Sequence, residues 1–326
     1  MLNLLGIPFG ILLLIGGGTA LVAGASQIAE RLGVSPLIIG LTIVGFGTSA
    51  PELIVNVLGA ARGETALAFG NVIGSNIANL ALVLGAAAAF RAIEIQGDLV
   101  RREIPLLLLV TSVITVMALD GVLEGSPARI GRSDAIVLLL LFGIFLYIAV
   151  RDVLRTRVRD PIFIEIGEHP AISETRLTSR WTIPLVLLGF AGLFFGGELT
   201  IRSSVALSES LGISTTLIGL FVVAVGTSMP ELVTAIIAAR RNESDLAMGN
   251  IIGSNLFNSL FVLPAAGLTA AIPIPKGGFL DLMLSWFLAA ALIPVFILGK
   301  ARLSRMSGLI LLGVYFGYVV YRVSGV

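Results

Sequence analysis

The sequence predicts an all-α membrane protein whose ten transmembrane helices form two inverted-topology repeats of five. Three observations predict this fold: a strongly apolar composition, a regular series of apolar stretches and an internal repeat. Of the 326 residues, 56% are hydrophobic and only 13% are charged, with a mean hydropathy of +1.03. In a typical soluble domain about a quarter of the residues are charged, so composition alone favours a membrane protein.

Ten apolar stretches in the chain are each about long enough to cross a bilayer as a helix. They cover residues 4–29, 36–61, 65–90, 103–120, 133–151, 182–208, 215–239, 244–269, 279–299 and 307–324. A polar connection after the fifth stretch is too short to form a separate domain. The sequence therefore predicts a first five-helix repeat over 1–151, a loop over 152–180 and a second five-helix repeat over 181–326.

The two halves repeat each other at a constant offset of 179 residues. Residues 40–80 align with 219–259 without a gap and are identical at 21 of 41 positions. The register continues upstream, so the first stretch matches the sixth and is expected to belong to the fold. Because each half has an odd number of spans, the second copy enters the membrane in the opposite orientation. Secondary transporters often have such repeats, with the ion site near the midplane.

The basic residues predict the orientation of the chain. With the N-terminus outside and the spans alternating, 15 of the 21 Lys and Arg residues fall on the inner side. Because cytosolic loops are enriched in these residues, we expect both termini outside and the loop 152–180 in the cytosol. The formal charge of +1 and the lack of a basic run give no sign of nucleic-acid binding. We expect the protein to be surrounded by the lipid bilayer.

The second span of each half carries a helix-breaking motif, "GFGTSAPEL" at 45–53 and "AVGTSMPEL" at 224–232. Pro51 and Pro230 interrupt helical hydrogen bonding and free backbone carbonyls, which membranes tolerate only around a cavity or inside protein. Oxygen-bearing side chains three and four residues apart can share one helix face. They are Thr48, Ser49 and Glu52 in one copy, and Thr227, Ser228 and Glu231 in the other. A carboxylate in the bilayer costs ~3 kcal/mol, so the two glutamates imply a bound cation or proton.

The third span of each half carries a second motif, "GNVIGSNIAN" at 70–79 and "GNIIGSNLFN" at 249–258. Its glycines weaken the helix and also permit close packing. They are Gly70 and Gly74, and Gly249 and Gly253. In each copy a serine and an asparagine four residues apart can point the same way. These pairs are Ser75 with Asn79, and Ser254 with Asn258. Asn76 and Asn255 fall on another face, where we expect packing or hydrogen bonds between helices.

The candidate site contains only oxygen ligands. The chain has no cysteine, and its single histidine, His169, lies in the polar loop. Thiolate sites are therefore excluded and zinc is disfavoured. Carboxylate, hydroxyl, amide and carbonyl oxygens suit Ca²⁺, Mg²⁺, Mn²⁺ or Na⁺. We expect a site for a hard cation and no cofactor.

These features favour a carrier over an enzyme or a channel. An intramembrane hydrolase needs a nucleophile with its base or a metal site, and the chain has neither a cysteine nor an HExxH motif. A channel would be built from a symmetric oligomer with a ring of filter residues, whereas the pseudosymmetry here is internal. A site with two negative charges is costly to carry empty through an occluded state. That cost favours obligatory exchange.

The paired "GTSxPEL" and "GNxxGSNxxN" motifs resemble those of the Ca²⁺/cation antiporter superfamily, in particular its bacterial and archaeal sodium/calcium exchangers. The resemblance covers nearly the whole chain. It implies alternating access in a prokaryotic cell membrane, with Na⁺ influx driving Ca²⁺ export, commonly three for one. It also implies that the first and sixth spans slide as gates past the other eight. A monomer is expected.

The resemblance implies an ion site with ligands from both halves. The implied side-chain ligands are Thr48, Ser49, Glu52, Ser75, Asn79, Thr227, Ser228, Glu231, Ser254 and Asn258, with backbone carbonyls near Gly45 and Ala224. Some relatives, including potassium-dependent exchangers, have aspartate at the position of Asn258. The neutral residue here weakens the case for K⁺ co-transport. The loop 152–180 is also too short for the regulatory insert of animal exchangers.

Two other functions stay open at this point. Paired glutamates can bind protons as well as Na⁺, so a Ca²⁺/H⁺ antiporter is an alternative, although that branch has "GNxxE" in place of "GTSxPE". An exporter of Mg²⁺ or Mn²⁺ is a second alternative. Outside the motifs, Glu198 and Arg202 are four residues apart in the sixth span. We expect them to form a structural ion pair and not an ion site.

Overall fold

The structure is a computed structural model, and the residues it describes are 2–63, 65–94, 99–119, 125, 128–156, 181–210, 224–299 and 301–324. Most of the predicted loop 152–180 and the first part of the predicted seventh span lie outside these residues. His169 is among the residues outside the description. The described residues are helical apart from short connections and four two-residue strands.

The described part of the first half contains eight α-helices and three π-helical segments. The helices are α1 (Leu2–Leu32), α2 (Pro36–Ile39), α3 (Gly45–Thr48), α4 (Ala50–Ala61), α5 (Thr65–Ile77), α6 (Leu84–Phe90), α7 (Ile104–Met117) and α8 (Arg132–Thr156). The π-helical segments are Gly40–Val44, Ala78–Val83 and Leu99–Glu103. Ser35 caps α2, because its side chain accepts a hydrogen bond of 3.2 Å from the Leu37 amide and Pro36 occupies the first turn.

The described part of the second half contains seven α-helices and one π-helical segment. The helices are α9 (Thr182–Ser210), α10 (Ala224–Thr227), α11 (Met229–Arg240), α12 (Ser244–Phe257), α13 (Leu263–Thr269), α14 (Gly278–Leu298) and α15 (Arg305–Ser324). The π-helical segment is Asn258–Val262. It joins α12 to α13, as Ala78–Val83 joins α5 to α6 in the first half.

The helices of the described residues account for the predicted spans with two qualifications. Seven helices are long and apolar enough to cross a membrane, and a pair bent by 44°, Pro36–Thr48 with Ala50–Ala61, makes an eighth. The predicted fourth span is shorter, since it consists of the 14-residue α7 and the π-helical segment before it. Of the predicted seventh span, the described residues include α10 and α11.

Two small antiparallel sheets tie the halves together. Strand β1 (Ile93–Glu94) pairs with β4 (Arg302–Leu303), and β2 (Arg129–Ile130) pairs with β3 (Ile272–Pro273). Each sheet takes one strand from each half. In the predicted orientation the first pair lies at the cytosolic surface and the second at the outer surface. The two halves are therefore joined at both ends of the helices.

The first and sixth spans form a closely packed pair. A Cβ added at Gly17 of α1 would lie 2.6 Å from the Leu193 backbone nitrogen of α9, so glycine permits this contact. The other spans surround the third and eighth. In these two spans 78% and 83% of an 18-residue apolar stretch are buried, against 17% in α15. The third and eighth spans therefore form the centre of the fold. The predicted Glu198–Arg202 pair is present on the exposed face of α9.

Candidate cation-binding site

The proline of each first motif interrupts its helix over a single residue. Ser49 (φ −88°, ψ 4°) separates α3 from α4, and Ser228 (φ −89°, ψ 7°) separates α10 from α11. Each proline then stands in the first turn of the following helix, where its missing amide hydrogen costs nothing. Glu52 and Glu231 also lie in these first turns. The helix dipole there stabilises a carboxylate.

Both glutamates are buried, with 1% of each residue exposed. The Ser49 hydroxyl donates a hydrogen bond of 3.3 Å to Glu231 Oε1, which links the two halves across the break. The second carboxylate oxygen of each glutamate, Oε2, is buried without a hydrogen-bond partner in the protein. Two acceptor oxygens therefore lie unpaired at the junction of the repeats.

Glycines bring α12 against the first half of the second span. A Cβ added at Gly253 would lie 2.6 Å from the carbonyl oxygen of Leu41, so only glycine fits without a shift. This contact lets the Ser254 hydroxyl donate a hydrogen bond of 3.3 Å to the carbonyl oxygen of Gly45. Ser254 Oγ also lies 3.3 Å from Thr48 Oγ1. The structure thus brings together three of the predicted site residues, Gly45, Thr48 and Ser254.

Asn79 and Asn258 lie in the π-helical segments of the third and eighth spans. The predicted position of the helix distortion, at the motif glycines, is wrong. Helices α5 and α12 continue through these glycines, and the distortion comes several residues later. A glycine in a helix costs only ~1 kcal/mol, so packing keeps the helix intact. The π-turns are frequently found at functional sites. Asn79 Oδ1 and both amide atoms of Asn258 are buried without partners.

Amide side chains join the two central spans. The Asn76 amide donates to Ser259 Oγ at 2.8 Å, and the Asn79 amide donates to Asn255 Oδ1 at 3.1 Å. Asn255 in turn donates to the Asn76 carbonyl oxygen at 3.4 Å. The prediction that Asn76 and Asn255 bond between helices is confirmed. Because the Asn79 side-chain nitrogen makes this bond, the Asn79 side-chain oxygen, Oδ1, is left as an acceptor.

The other predicted ligands differ in their burial and in their hydrogen bonds. Ser75 donates within its own helix to Asn71 Oδ1 at 3.4 Å. Ser228 is buried, and its hydroxyl has no hydrogen-bond partner in the protein. Thr227 is half-buried at the end of α10. Ala224 begins α10, and its side chain lies outside the described part of the chain.

Two further asparagines contact the site and were not predicted. Asn250, fully buried, accepts a hydrogen bond of 3.1 Å from Thr48 and donates one of 3.4 Å to the Glu231 carbonyl oxygen. Asn56 donates a bond of 2.6 Å to the Glu52 carbonyl oxygen. The identity of Asn250 with Asn71 in the repeat was a usable signal for the first. Asn56 pairs with alanine in the repeat, so the sequence held no such signal for it.

The chemistry of this site suits a hard cation. Among the described residues, no group of three or more His, Cys, Asp or Glu side chains is arranged to hold a metal. The acidic residues are a pair, and the surrounding polar side chains offer neutral oxygens. Buried polar atoms without partners are rare in proteins, yet several of them are concentrated in these motifs. A cation bound among them would satisfy these oxygens.

The fold and the site together define a membrane carrier for inorganic cations, built from two inverted repeats. The chain matches the family model described as "Sodium/calcium exchanger protein" over residues 2–151 and 181–324, and it belongs to that family. It is therefore an integral membrane transporter and not an enzyme.

Individual relatives agree with this assignment. The chain is 38% identical over 313 residues to CaxA of Alkalimonas amylolytica, provisionally named an antiporter, with 95% of each chain covered. It is 37% identical over 267 residues to the inner membrane protein YrbG of Escherichia coli, covering 81% of this chain and 78% of YrbG. The solved structure of the sodium-calcium exchanger NCX_Mj matches with a TM-score of 0.82 at 26% identity, covering 98% of both chains. The predicted fold class and family resemblance are confirmed.

Proposed function

We propose that this protein is a secondary active antiporter that exchanges Na⁺ for Ca²⁺ by alternating access and exports Ca²⁺. The observation that carries the proposal is the pair of buried glutamates, Glu52 and Glu231, one from each inverted half. Each has a carboxylate oxygen without a protein partner. A buried carboxylate with no counter-charge is strongly disfavoured, so a cation is required there in the charged state.

The charge of the site supports exchange over uniport. Two carboxylates carry two negative charges, and the nearby Ser, Thr and Asn side chains are neutral. One Ca²⁺ or a set of Na⁺ ions offsets these charges, whereas the empty site is costly to occlude. The carrier therefore changes its accessible side when loaded and is trapped when empty. That behaviour couples the two ion fluxes.

We assign the ligands to oxygens of both halves. The proposed side-chain ligands are Thr48, Ser49, Glu52, Ser75, Asn79, Thr227, Ser228, Glu231, Ser254 and Asn258, with carbonyls near Gly45 and Ala224. Ca²⁺ takes six to eight oxygens at about 2.3–2.6 Å in flexible geometry, so this set has enough donors. The burial of both glutamates and the unpaired oxygens of Asn79 and Asn258 support the assignment.

The proposal places the protein in a prokaryotic cell membrane with both termini outside. The inward bias of Lys and Arg supports the orientation, and the name of YrbG, an inner membrane protein, supports the location. The division into repeats over 1–151 and 181–326, separated by the loop 152–180, stays a prediction.

The test is ⁴⁵Ca²⁺ uptake into proteoliposomes loaded with Na⁺, compared with vesicles loaded with choline and vesicles with only a pH gradient. Uptake that requires internal Na⁺ supports the proposal. Uptake driven by the pH gradient alone replaces it with Ca²⁺/H⁺ exchange. Uptake without either gradient contradicts coupled exchange, and the absence of any Ca²⁺ flux redirects the assay to Mg²⁺ and Mn²⁺.

A further inference from the structure

The two halves of the structure are not in the same arrangement around the α1–α9 pair. On one side α1 packs directly on α11, since a Cβ added at Gly18 would lie 2.9 Å from Ile237 and 3.0 Å from Val233. By the repeat, the corresponding contact is α9 against α4. There the structure has a cavity of about 240 Å³. Among the described residues, the structure is therefore closed where α1 meets α11 and open where α9 faces α4.

The open side leads to the candidate site. The cavity is lined by Thr48, Pro51, Ile54, Phe190, Phe194 and Pro230, among others. It thus includes a proposed ligand and both motif prolines. In the predicted orientation α4 extends to the outer face and α11 to the cytosolic face. The arrangement corresponds to a carrier closed towards the cytosol.

One polar contact joins α1 to the closed side. The Ser26 hydroxyl of α1 is hydrogen bonded to the carboxylate of Glu243, in the turn between α11 and α12. Glu243 lies outside the membrane-spanning helices and is half-buried. Burial raises the pKa of Glu243 above its ordinary value, while Ser26 and Arg241 oppose that rise. The carboxyl group is therefore held in a half-buried interface by the hydroxyl of α1.

Much of the described interface around this bond is apolar. Ala25 and Ala29 of α1 and Ala238 of α11 are buried in one hydrophobic cluster with Leu246 of α12. Small apolar side chains can slide past one another at little cost, whereas a hydrogen bond has one preferred geometry. The Ser26–Glu243 bond is thus a contact in this interface that favours one position of α1 along the core.

We propose that the Ser26–Glu243 hydrogen bond is a latch that holds the cytosolic face closed and breaks when the α1–α9 pair moves. Both residues are positioning residues, because they act through the position of α1 and touch no ion. The inference rests on the proposed function, since it assumes that the two faces open in turn. The bond should shift the balance of the two conformations without changing the ion site.

The experiment measures the opening directly by cysteine labelling. The chain has no cysteine, so single cysteines can be introduced without background. Ala238→Cys reports the closed interface, because Ala238 is 0% exposed. Ile54→Cys reports the open cavity, because Ile54 lines it. A maleimide reagent is supplied on both sides of proteoliposomes, so the result does not depend on the orientation of the protein.

Ser26→Ala and Glu243→Ala should each raise the labelling rate of Ala238→Cys about fivefold, equivalent to ~1 kcal/mol for one hydrogen bond. They should lower the rate at Ile54→Cys. The double variant should exceed neither single variant, because both remove the same bond. Glu30→Ala removes an exposed carboxylate one turn further along α1 and is the matched control. It should leave both rates unchanged.

Unchanged rates in the Ser26 and Glu243 variants, or an equal effect of Glu30→Ala, would overturn the latch. Labelling does not require transport, so the two proposals can fail separately. If the wild-type protein shows no Na⁺-driven ⁴⁵Ca²⁺ flux and the labelling still responds as expected, the proposed function fails and the latch stands. If the flux is Na⁺-driven and the labelling does not respond, the latch alone fails.

Discussion

The contact between α12 and the second span predicts a specific effect of Gly253→Ala. The added Cβ would lie 2.6 Å from the Leu41 carbonyl oxygen and 2.7 Å from Leu41 Cα, both backbone atoms that cannot rotate away. To reach an ordinary contact distance of 3.4 Å, the helices must separate by roughly 0.8 Å. Such overpacking costs about 1–3 kcal/mol, and the better helix propensity of alanine offsets ~1 kcal/mol of it.

The same separation would disturb the candidate site. The hydrogen bond from Ser254 to the Gly45 carbonyl oxygen is already 3.3 Å long, so it would stretch beyond the useful range. A misplacement on the order of 1 Å near reacting groups can cost ~10²-fold in rate. We therefore expect Gly253→Ala to reduce Na⁺-driven ⁴⁵Ca²⁺ uptake by one to two orders of magnitude and to lower the melting temperature in detergent.

Gly317→Ala is the matched control for this prediction. Gly317 lies in the interior of α15 with no described atom within 4 Å of an added Cβ. The helix propensity gain is the same, so this variant should be slightly more stable than the wild type and should transport normally. If Gly253→Ala matches Gly317→Ala in melting temperature and uptake, the inference that α12 contacts the second span closely at Gly253 is wrong.

Three further predictions concern charge and buried polar groups. Glu52→Gln and Glu231→Gln should each reduce Ca²⁺ uptake at least ~100-fold, because the loss of a buried charge partner costs about 2–5 kcal/mol. Normal uptake by both variants would exclude the proposed site. Asn258→Asp adds a third carboxylate and should strengthen Ca²⁺ binding relative to Na⁺, which competition between the two ions for uptake measures. Tyr318→Phe removes a 3.0 Å hydrogen bond to the carboxylate of buried Asp281 and should destabilise the protein by about 1–2 kcal/mol. Tyr321→Phe, at an exposed position of the same helix, should not destabilise it. Equal melting temperatures for the two variants would contradict this role of Tyr318.

Much of the candidate site was predictable because its signals are local in the sequence. Proline fixes where a helix breaks, and the break at Ser49 is found where Pro51 requires it. A glutamate beside that break in a membrane span identifies a polar site without any tertiary information. The repeat then doubles each signal, since Glu231 stands 179 residues after Glu52. Both carboxylates are buried in the structure.

Other parts of the site were not predictable, because they depend on which helices meet. The role of Asn250 follows from its contact with Thr48, 202 positions away in the chain. The π-turn that carries Asn258 lies downstream of the glycines that suggested a break, because packing around α12 keeps those glycines helical. The spacing of residues along one helix shows which face of the helix a residue lies on, but it does not show which residue of another helix that face contacts.

The sequence by itself determined the spans, their inversion and the residue types of the candidate site. These follow from hydrophobicity, from the odd number of spans in each half and from the backbone chemistry of proline. Each of these signals acts within one helix or across the fixed offset of the repeat. Only the tertiary structure decided that Gly253 needs to be glycine while Gly317 does not, and that Ser26 reaches Glu243. Those outcomes depend on ångström-scale contacts between segments far apart in the chain, and such contacts exist only once the helices have packed.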